Sequence, residues 1–332
     1  MTAVTRRTLL AGAAATGALA ATASRAQTDI VEAQPDLTGK SILITGCSSG
    51  FGRLGAEYYA RRGARVFATM RNTPRPEANA LTALAERDEL DIHVLRLDVL
   101  LDQEIADAMV AIDRIMGGNA VDVLINNAGI GITGPAEVQD MAATQLIFDT
   151  NVFGPQRMAR AVLPGMRARG SGQIIQISSQ LGRVIVPHSG HYSATKFALE
   201  AMGEQLAYEM VPHGIDVSIV EPGGYPTQVW VNRNIYTTAL KNRAAEVHLA
   251  GYPQVVARMG EEDGSGRSAD PMDVPRAIAR LIALAPGTRP LRVPVSGGDI
   301  PQTAINRVTA QTQREWLGGS PTIGPLVRAV HD

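Results

Sequence analysis

Tyr192 and Lys196 stand four residues apart in HYSATKFALEAM, a stretch of helix-forming composition. On a helix that step places both side chains on one face, within reach of each other. A phenol ionises near pH ~10, so at neutral pH it is a poor proton donor and a scarce base. An ammonium beside it favours the phenolate, so Lys196 is expected to pull the Tyr192 pKa toward the working range. Upstream, QIIQISSQLGR carries a short apolar run into Ser178 and Ser179. Serine, tyrosine and lysine in this order would make a proton-transfer site. Tyr and Lys at helical spacing are also common on solvated surfaces, so the pair needs other elements to hold it against a ligand.

A second cluster supplies such an element. Gly39–Ala60 reads GKSILITGCSSGFGRLGAEYYA, in which Ser41–Thr45 fits a buried strand and the segment from about Gly52 has helical composition. Gly46, Gly50 and Gly52 lie between the two. A glycine-rich turn from strand to helix lets backbone N–H groups approach a pyrophosphate, and the helix N-terminus favours negative charge. The spacing is TGxxxGxG rather than GxGxxG. An ordinary strand-to-helix turn that happens to hold glycines is the alternative, and the remainder of the chain decides between them.

Thr45–Gly52, NNAG at Asn126–Gly129, Asn151 in DTNVFG, Ser179 in QISSQLGR, Tyr192 and Lys196 in YSATK, and EPGGYPT at Glu221–Thr227 follow one another in this order. In this the chain resembles the short-chain dehydrogenase/reductase family, in the branch with the TGxxxGxG loop, from about Leu37 to about Gly298. The resemblance implies a catalytic tetrad of Asn151, Ser179, Tyr192 and Lys196. Tyr192 would exchange a proton with the substrate oxygen, and Ser179, rather than its neighbour Ser178, would hydrogen-bond that oxygen. Lys196 would bind the nicotinamide ribose, and Asn151 would fix a water linking Lys196 to solvent. Asn151 could instead bridge backbone, and Ser179 could simply end a strand. For the cofactor the resemblance implies Gly46, Ser48, Ser49, Gly50, Phe51 and Gly52 in the loop, Asp98 at the adenine, and Asn127 and Gly129 at the adenine ribose. It also implies Pro222 and Gly223 in the segment over the nicotinamide, with Thr227 on its carboxamide or a phosphate. A loop or helix-cap aspartate is the alternative reading of Asp98.

Charge decides which nicotinamide nucleotide. NAD-specific relatives end the second strand with an acidic residue for the ribose 2′-OH. Here that place holds Met70, followed by Arg71. A guanidinium grips a 2′-phosphate that a carboxylate would repel, so NADP is expected, with NAD possible if Arg71 is only a solvated loop residue. Ser49 stands where many NADP-dependent relatives carry a basic residue.

The chain has 332 residues and a net charge of −1, which gives no sign of nucleic-acid or anionic-membrane binding. Its single cysteine, Cys47, excludes an internal disulfide. The six histidines are scattered, and no metal site is expected. Apolar runs at Ser41–Thr45, Arg65–Thr69, Asp91–Leu97, Val121–Ile125, Gln173–Ser178, Asp216–Glu221 and Leu291–Val295 alternate with helical stretches. That rhythm predicts a single Rossmann-like α/β domain, a doubly wound parallel sheet with helices on both faces. Residues 1–27 place Arg6 and Arg7 before a weakly apolar Ala/Gly/Leu stretch ending near Ala23 or Ala26. This resembles a twin-arginine export signal, too short for a membrane span, and predicts a periplasmic protein; a leader on a cytoplasmic enzyme is the alternative. Residues 28–37 read as linker, 38–300 as the catalytic domain, about 225–270 as a substrate lid, and 301–332 as a tail of unread role. The apolar lid suits a hydrophobic alcohol or carbonyl compound, though helices merely covering core would look the same. The function expected is an NADP(H)-dependent alcohol/carbonyl oxidoreductase. A catalytically silent nucleotide-binding protein and a sugar-nucleotide epimerase are the other readings, the latter normally with TGxxGxxG spacing. Relatives pair through helices that begin near Phe148 and Tyr192, which implies a homodimer or homotetramer.

Overall fold

Seven parallel strands form one sheet in the order β3-β2-β1-β4-β5-β6-β7. They are β1 Ser41–Ile44, β2 Arg65–Met70, β3 Ile92–Arg96, β4 Val123–Asn126, β5 Gly172–Ile177, β6 Ile215–Pro222 and β7 Arg292–Val295. The computed structural model describes residues 34–332, so the twin-arginine stretch 1–27 lies outside the described residues. Residues 37–332 form one compact unit.

Strand residues alternate between two apolar layers, as the period of two requires. Ile42 and Ile44 face a core shared with Ala56, Tyr59, Leu81, Ile278 and Ile282. Leu43 faces the opposite core with Ile112, Met158, Val162 and Ile219. Helices cover both faces: α1 Gly50–Ala60, α2 Pro76–Arg87, α3 Asp102–Met116, α4 Met141–Phe148, α5 Gly154–Arg169, α6 Tyr192–Met210, α7 Val229–Arg243 and α8 Asp273–Ala283. Burial on both sides explains why these strands read as continuous apolar runs. The expected doubly wound sheet is therefore present, with strand bounds within two residues of those read from the sequence. The order reverses between β1 and β4, and a ligand crevice opens at the carboxyl ends of strands at such a switch point.

The stretch 225–270 contains α7 and two short helical turns, Glu246–Leu249 and Pro253–Arg258. Leu240 and Met259 pack with Ile130, Ile132 and Ile147 beyond the end of β4, beside Tyr192 and Tyr236. Residues 301–332 fold as α9 Gln302–Leu317 and α10 Gly324–His331. Among the described residues no helix is long and apolar enough to cross a membrane.

The last two helices close over a buried ionic cluster that the sequence did not announce. Arg292 on β7 reaches Glu200 at 2.8 Å and Glu204 at 2.7 Å on α6, with Glu221 at 3.7 Å. The C-terminal helices supply the remaining partners. Asn306 Nδ2 donates to Glu221 at 2.7 Å, and His331 Nε2 lies 2.6 Å from the Tyr208 hydroxyl. Burial would raise the Glu204 carboxyl, but His331, Arg292 and Tyr208 hold it down at about 2. Glu221 goes the other way: burial, then the Glu200 charge, push it up to about 7.

A carboxyl raised on folding stabilises the fold when protonated, so its contribution is complete below about pH 4.5 and is lost as pH rises through 7. Glu221→Gln should therefore match wild type in thermal stability at pH 4.5. It should gain steadily to pH 7 and stay ahead above that by on the order of 1–3 kcal/mol. Melting curves across this range check the sign; an advantage that is independent of pH would contradict it.

Candidate active site

The glycine loop leaves β1 and enters α1 at the switch point. Gly46 has a positive φ of 76°, and a Cβ there would fall 2.9 Å from the Ala128 Cα. A Cβ at Gly52 would lie 2.5 Å from both the Asn127 Nδ2 and the Gly46 carbonyl oxygen. These positions need glycine because backbone occupies the space. Asn127 is the clamp: its amide donates to the carbonyls of Thr45 at 2.8 Å and Gly46 at 3.1 Å. The Thr45 hydroxyl returns two bonds, accepting from the backbone N–H of Asn127 and of Ala128 at 3.0 Å each. Ser49 precedes α1 without a side-chain cap, and the first turn has no acidic residue. Donors and the positive end of the helix dipole are thus left for an anion. Ser48 lies half-buried in the same turn, and Phe51 packs edge-on to Tyr225 at 5.5 Å between centroids. Cys47 is fully buried with its thiol pushed up to about 12, which makes it a small packing residue rather than a nucleophile.

The catalytic candidates gather at the same edge. Ser179 follows β5, and its hydroxyl accepts from the Leu181 N–H at 3.1 Å; its influence on the Tyr192 phenol favours the phenolate. Ser178 is buried, with no hydrogen-bond partner for its hydroxyl. Tyr192 opens α6, and Lys196 sits one turn on, its Nζ 5.7 Å from the Tyr192 ring centroid. That ammonium donates to the Ile177 carbonyl at 2.8 Å.

The electrostatics differ from the sequence expectation. Burial raises the Tyr192 pKa above its ordinary value, opposed by the Ser179 hydroxyl and by the charge of Arg233. Burial also pushes Lys196 down to about 8, against a weaker pull from Glu200. The four-residue step does put the pair on one face, but withdrawal from water outweighs their mutual effect.

Asn151 takes a structural post. It lies in a π-helical turn, Asp149–Phe153, between α4 and α5. Its Oδ1 accepts from the Ile130 N–H at 2.8 Å, while Nδ2 donates to the Ile130 carbonyl at 2.9 Å and to Thr195 Oγ1 at 3.1 Å. With its amide so engaged, Asn151 ties the extension of β4 to α6. A Cβ at Gly129 would lie 3.3 Å from the Asn151 Oδ1 and 3.9 Å from Lys196 Nζ.

The remaining cofactor candidates line one groove or serve its walls. The Asp98 carboxylate caps its own loop, accepting from the Leu100 N–H at 3.0 Å. Pro222 ends β6, and a Cβ at Gly223 would fall 2.5 Å from the Ser296 hydroxyl. Thr227 caps the approach to α7 through its own hydroxyl, accepting from the Val229 N–H at 3.4 Å. A Cβ at Gly50 would touch Thr227 at 3.7 Å, so the loop and this segment face each other. Arg71 is exposed at the end of β2 and donates to the Tyr236 hydroxyl of α7 at 2.7 Å. Sequence reasoning missed Tyr236 and Arg233, because only the fold brings α7 over this edge. Among the described residues no group of His, Cys, Asp or Glu gathers that could hold a metal.

These residues suit a nicotinamide dinucleotide: a loop without Cβ atoms, a bare helix N-terminus, and a proton-transfer pair on the same rim. Comparison with known proteins agrees. The family model described as short chain dehydrogenase matches residues 40–236. Retinol dehydrogenase 8 of Bos taurus is 41% identical over 192 residues, which span 57% of this chain and 60% of that one. A 3-ketodihydrosphingosine reductase of Bacteroides thetaiotaomicron is 35% identical over 73% of this chain and 83% of its own length. Among solved structures, the 3-ketoacyl-(acyl-carrier-protein) reductase of Brucella melitensis complexed with NADH shares 25% identity and a TM-score of 0.63. That match covers 80% of this chain and all of the other.

A lysine depressed on folding favours the fold above its unfolded pKa near ~10.4, and that benefit disappears as pH falls through 8. Cofactor-free Lys196→Met should therefore compare best with wild type below pH 8, and the difference should shift in favour of wild type up to about pH 10. A pH-independent difference in melting temperature would show that Lys196 stays charged throughout.

Proposed function

The chain belongs to the short-chain dehydrogenase family, and on that premise we propose that it is an NADP(H)-dependent oxidoreductase interconverting an alcohol with its ketone or aldehyde. The arrangement that carries this reading is Ser179 beyond β5 and Tyr192 at the start of α6, one helical turn from a Lys196 ammonium tied to Ile177 at the end of β5. In the reducing direction Tyr192 gives its proton to the carbonyl oxygen, and Ser179 donates to the same oxygen as charge develops there. The bound nicotinamide supplies the hydride to the carbon. The raised Tyr192 pKa keeps the phenol protonated until substrate and cofactor change its surroundings. Lys196 holds the nicotinamide ribose, and its own proton lies close enough in free energy at pH 8 to help restore that of Tyr192. Asn151 acts as a positioning residue through Ile130 and Thr195. Gly46–Gly52 and the start of α1 hold the pyrophosphate, with Asp98, Asn127, Gly129, Pro222, Gly223 and Thr227 along the rest of the groove.

Arg71 supports NADP over NAD, because the end of β2 offers a guanidinium and no carboxylate for the ribose 2′ position. The stretch 225–270 acts as a lid over an apolar substrate, and the protein works as a homodimer or homotetramer. The twin-arginine stretch supports export to the periplasm as a folded protein already loaded with nucleotide.

Purified enzyme should consume NADPH with a carbonyl substrate at a kcat/KM at least about 10-fold above that with NADH, and Arg71→Ala should erase most of this preference. Tyr192→Phe should abolish turnover while leaving the NADPH Kd within a few-fold of wild type. Full turnover in Tyr192→Phe would sink the assignment of the proton donor. Replacing Arg6 and Arg7 by lysine should keep the protein in the cytoplasm; unchanged periplasmic recovery would contradict the export route.

A further inference from the structure

Arg233 on α7 is a half-buried guanidinium that has no ion-pair partner among the described residues. Its Nε is buried without a hydrogen bond. Such a charge is costly to withdraw from water unless something compensates it. What the chain supplies is mostly orientation. The guanidinium lies 4.5 Å over the Trp230 ring, whose indole N–H is fixed on the Tyr225 carbonyl at 2.7 Å. The Arg233 stem packs on Gly131, where a Cβ would come within 3.0 Å of its Cγ. Glu262, an acid whose charge reaches Arg233, is committed to Arg267 at 2.9 Å, and Arg267 lies over the same indole at 3.7 Å. Two guanidinium groups therefore share one carboxylate, and a net positive charge remains beside Trp230.

That charge faces the chemistry. Tyr192 packs on the apolar cluster of Ile130, Ile132 and Met259, and the Arg233 stem rests on Gly131 between those two isoleucines, where its charge favours the Tyr192 phenolate. Arg233 also lines a cavity of about 620 Å³ with Thr133, His188, Val255, Met259 and Glu262. The pyrophosphate has its own cradle in the glycine loop and the start of α1, so it does not need this arginine. We propose that Arg233 is the anion-recognition residue of the substrate cavity, and that the substrate is a hydroxy- or oxo-acid whose carboxylate docks on it beside the reacting C–O group. The apolar wall from Val255 and Met259 receives the hydrocarbon part of the same molecule. The inference rests on the oxidoreductase reading above and narrows it from neutral alcohols to acids. A fixed, stacked guanidinium is suited to bidentate carboxylate recognition, because little side-chain freedom remains to be lost on binding.

The test compares 3-hydroxyoctanoate with its methyl ester, using the full-length enzyme and NADP+. Wild type should use the acid with a kcat/KM about 30-fold or more above that of the ester. Arg233→Met, which keeps a stem to pack on Gly131, should bring the ratio to near one. Arg307→Met, at an exposed arginine on α9 outside this cavity, should preserve it. Equal use of acid and ester by wild type overturns the proposal, as does equal loss of both in Arg233→Met. A tenfold weaker NADP+ affinity in Arg233→Met also overturns it, by assigning the arginine to a cofactor phosphate. Calorimetry of 3-hydroxyoctanoate on NADP+-loaded Tyr192→Phe protein gives a readout free of turnover. Arg233-dependent binding there, with no turnover by wild type, would sustain the anion site and remove the oxidoreductase reading. Ester turnover without any acid binding would do the reverse.

Discussion

A single hydrogen bond sets the geometry of this site: the Lys196 ammonium on the Ile177 carbonyl, at 2.8 Å in a buried place. It pins the second turn of α6 to the end of β5. Tyr192, one turn back, is thereby laid against Ser179, the second residue beyond that strand. A hydrogen bond from a charged donor contributes about 1.5–3 kcal/mol, and here it offsets part of the cost of keeping an ammonium from water. It does not offset all of it, which is why Lys196 titrates at about 8. The Asn151 amide braces the same corner from the other side, joining Ile130 to Thr195. The start of α6 is in this way tied to the ends of two strands, β5 through Lys196 and β4 through Asn151.

Around that fixed corner the charges are distributed unevenly. The glycine loop and the start of α1 present N–H groups and no side-chain anion. The α7 side presents Arg233 and Arg267 around one indole, and Arg71 reaches across to Tyr236. The carboxylates are gathered instead behind the sheet edge, where Arg292 holds Glu200 and Glu204 under the C-terminal helices. Glu221 joins that cluster and also begins the Pro222–Gly223 segment, so the tail helices touch the backbone that borders the active site.

The parts of this arrangement that depend on local sequence were legible from it. Both faces of the sheet are buried, so each strand appears as an apolar run, and the seven runs fall where the seven strands lie. The glycine loop is legible because Gly46 and Gly52 have no room for a Cβ, and the Tyr192–Lys196 step follows from helix geometry. The sign of the Tyr192 shift was not legible. A sequence shows an ammonium four residues away but not the packing that desolvates both groups, and desolvation is the larger effect. For Asn151 and Asp98 the sequence left open the backbone-bridging and loop-cap contacts that the fold provides, but not their partners, since Ile130 and Thr195 are remote from Asn151 in the chain. Arg233 gave no signal at all, since its neighbours Gly131 and Tyr192 come from other elements. The tail was unreadable for a similar reason: His331 finds Tyr208 across more than a hundred residues.

The central claim is that burial, not the neighbouring ammonium, sets the resting state of the site as a neutral Tyr192 phenol. Its most direct test is an ultraviolet titration of the phenolate in cofactor-free protein, taken as the difference between wild type and Tyr192→Phe. The account predicts that the Tyr192 signal appears only above the ordinary tyrosine midpoint near pH ~10. A phenolate already present near neutral pH would contradict it and return the leading role to Lys196.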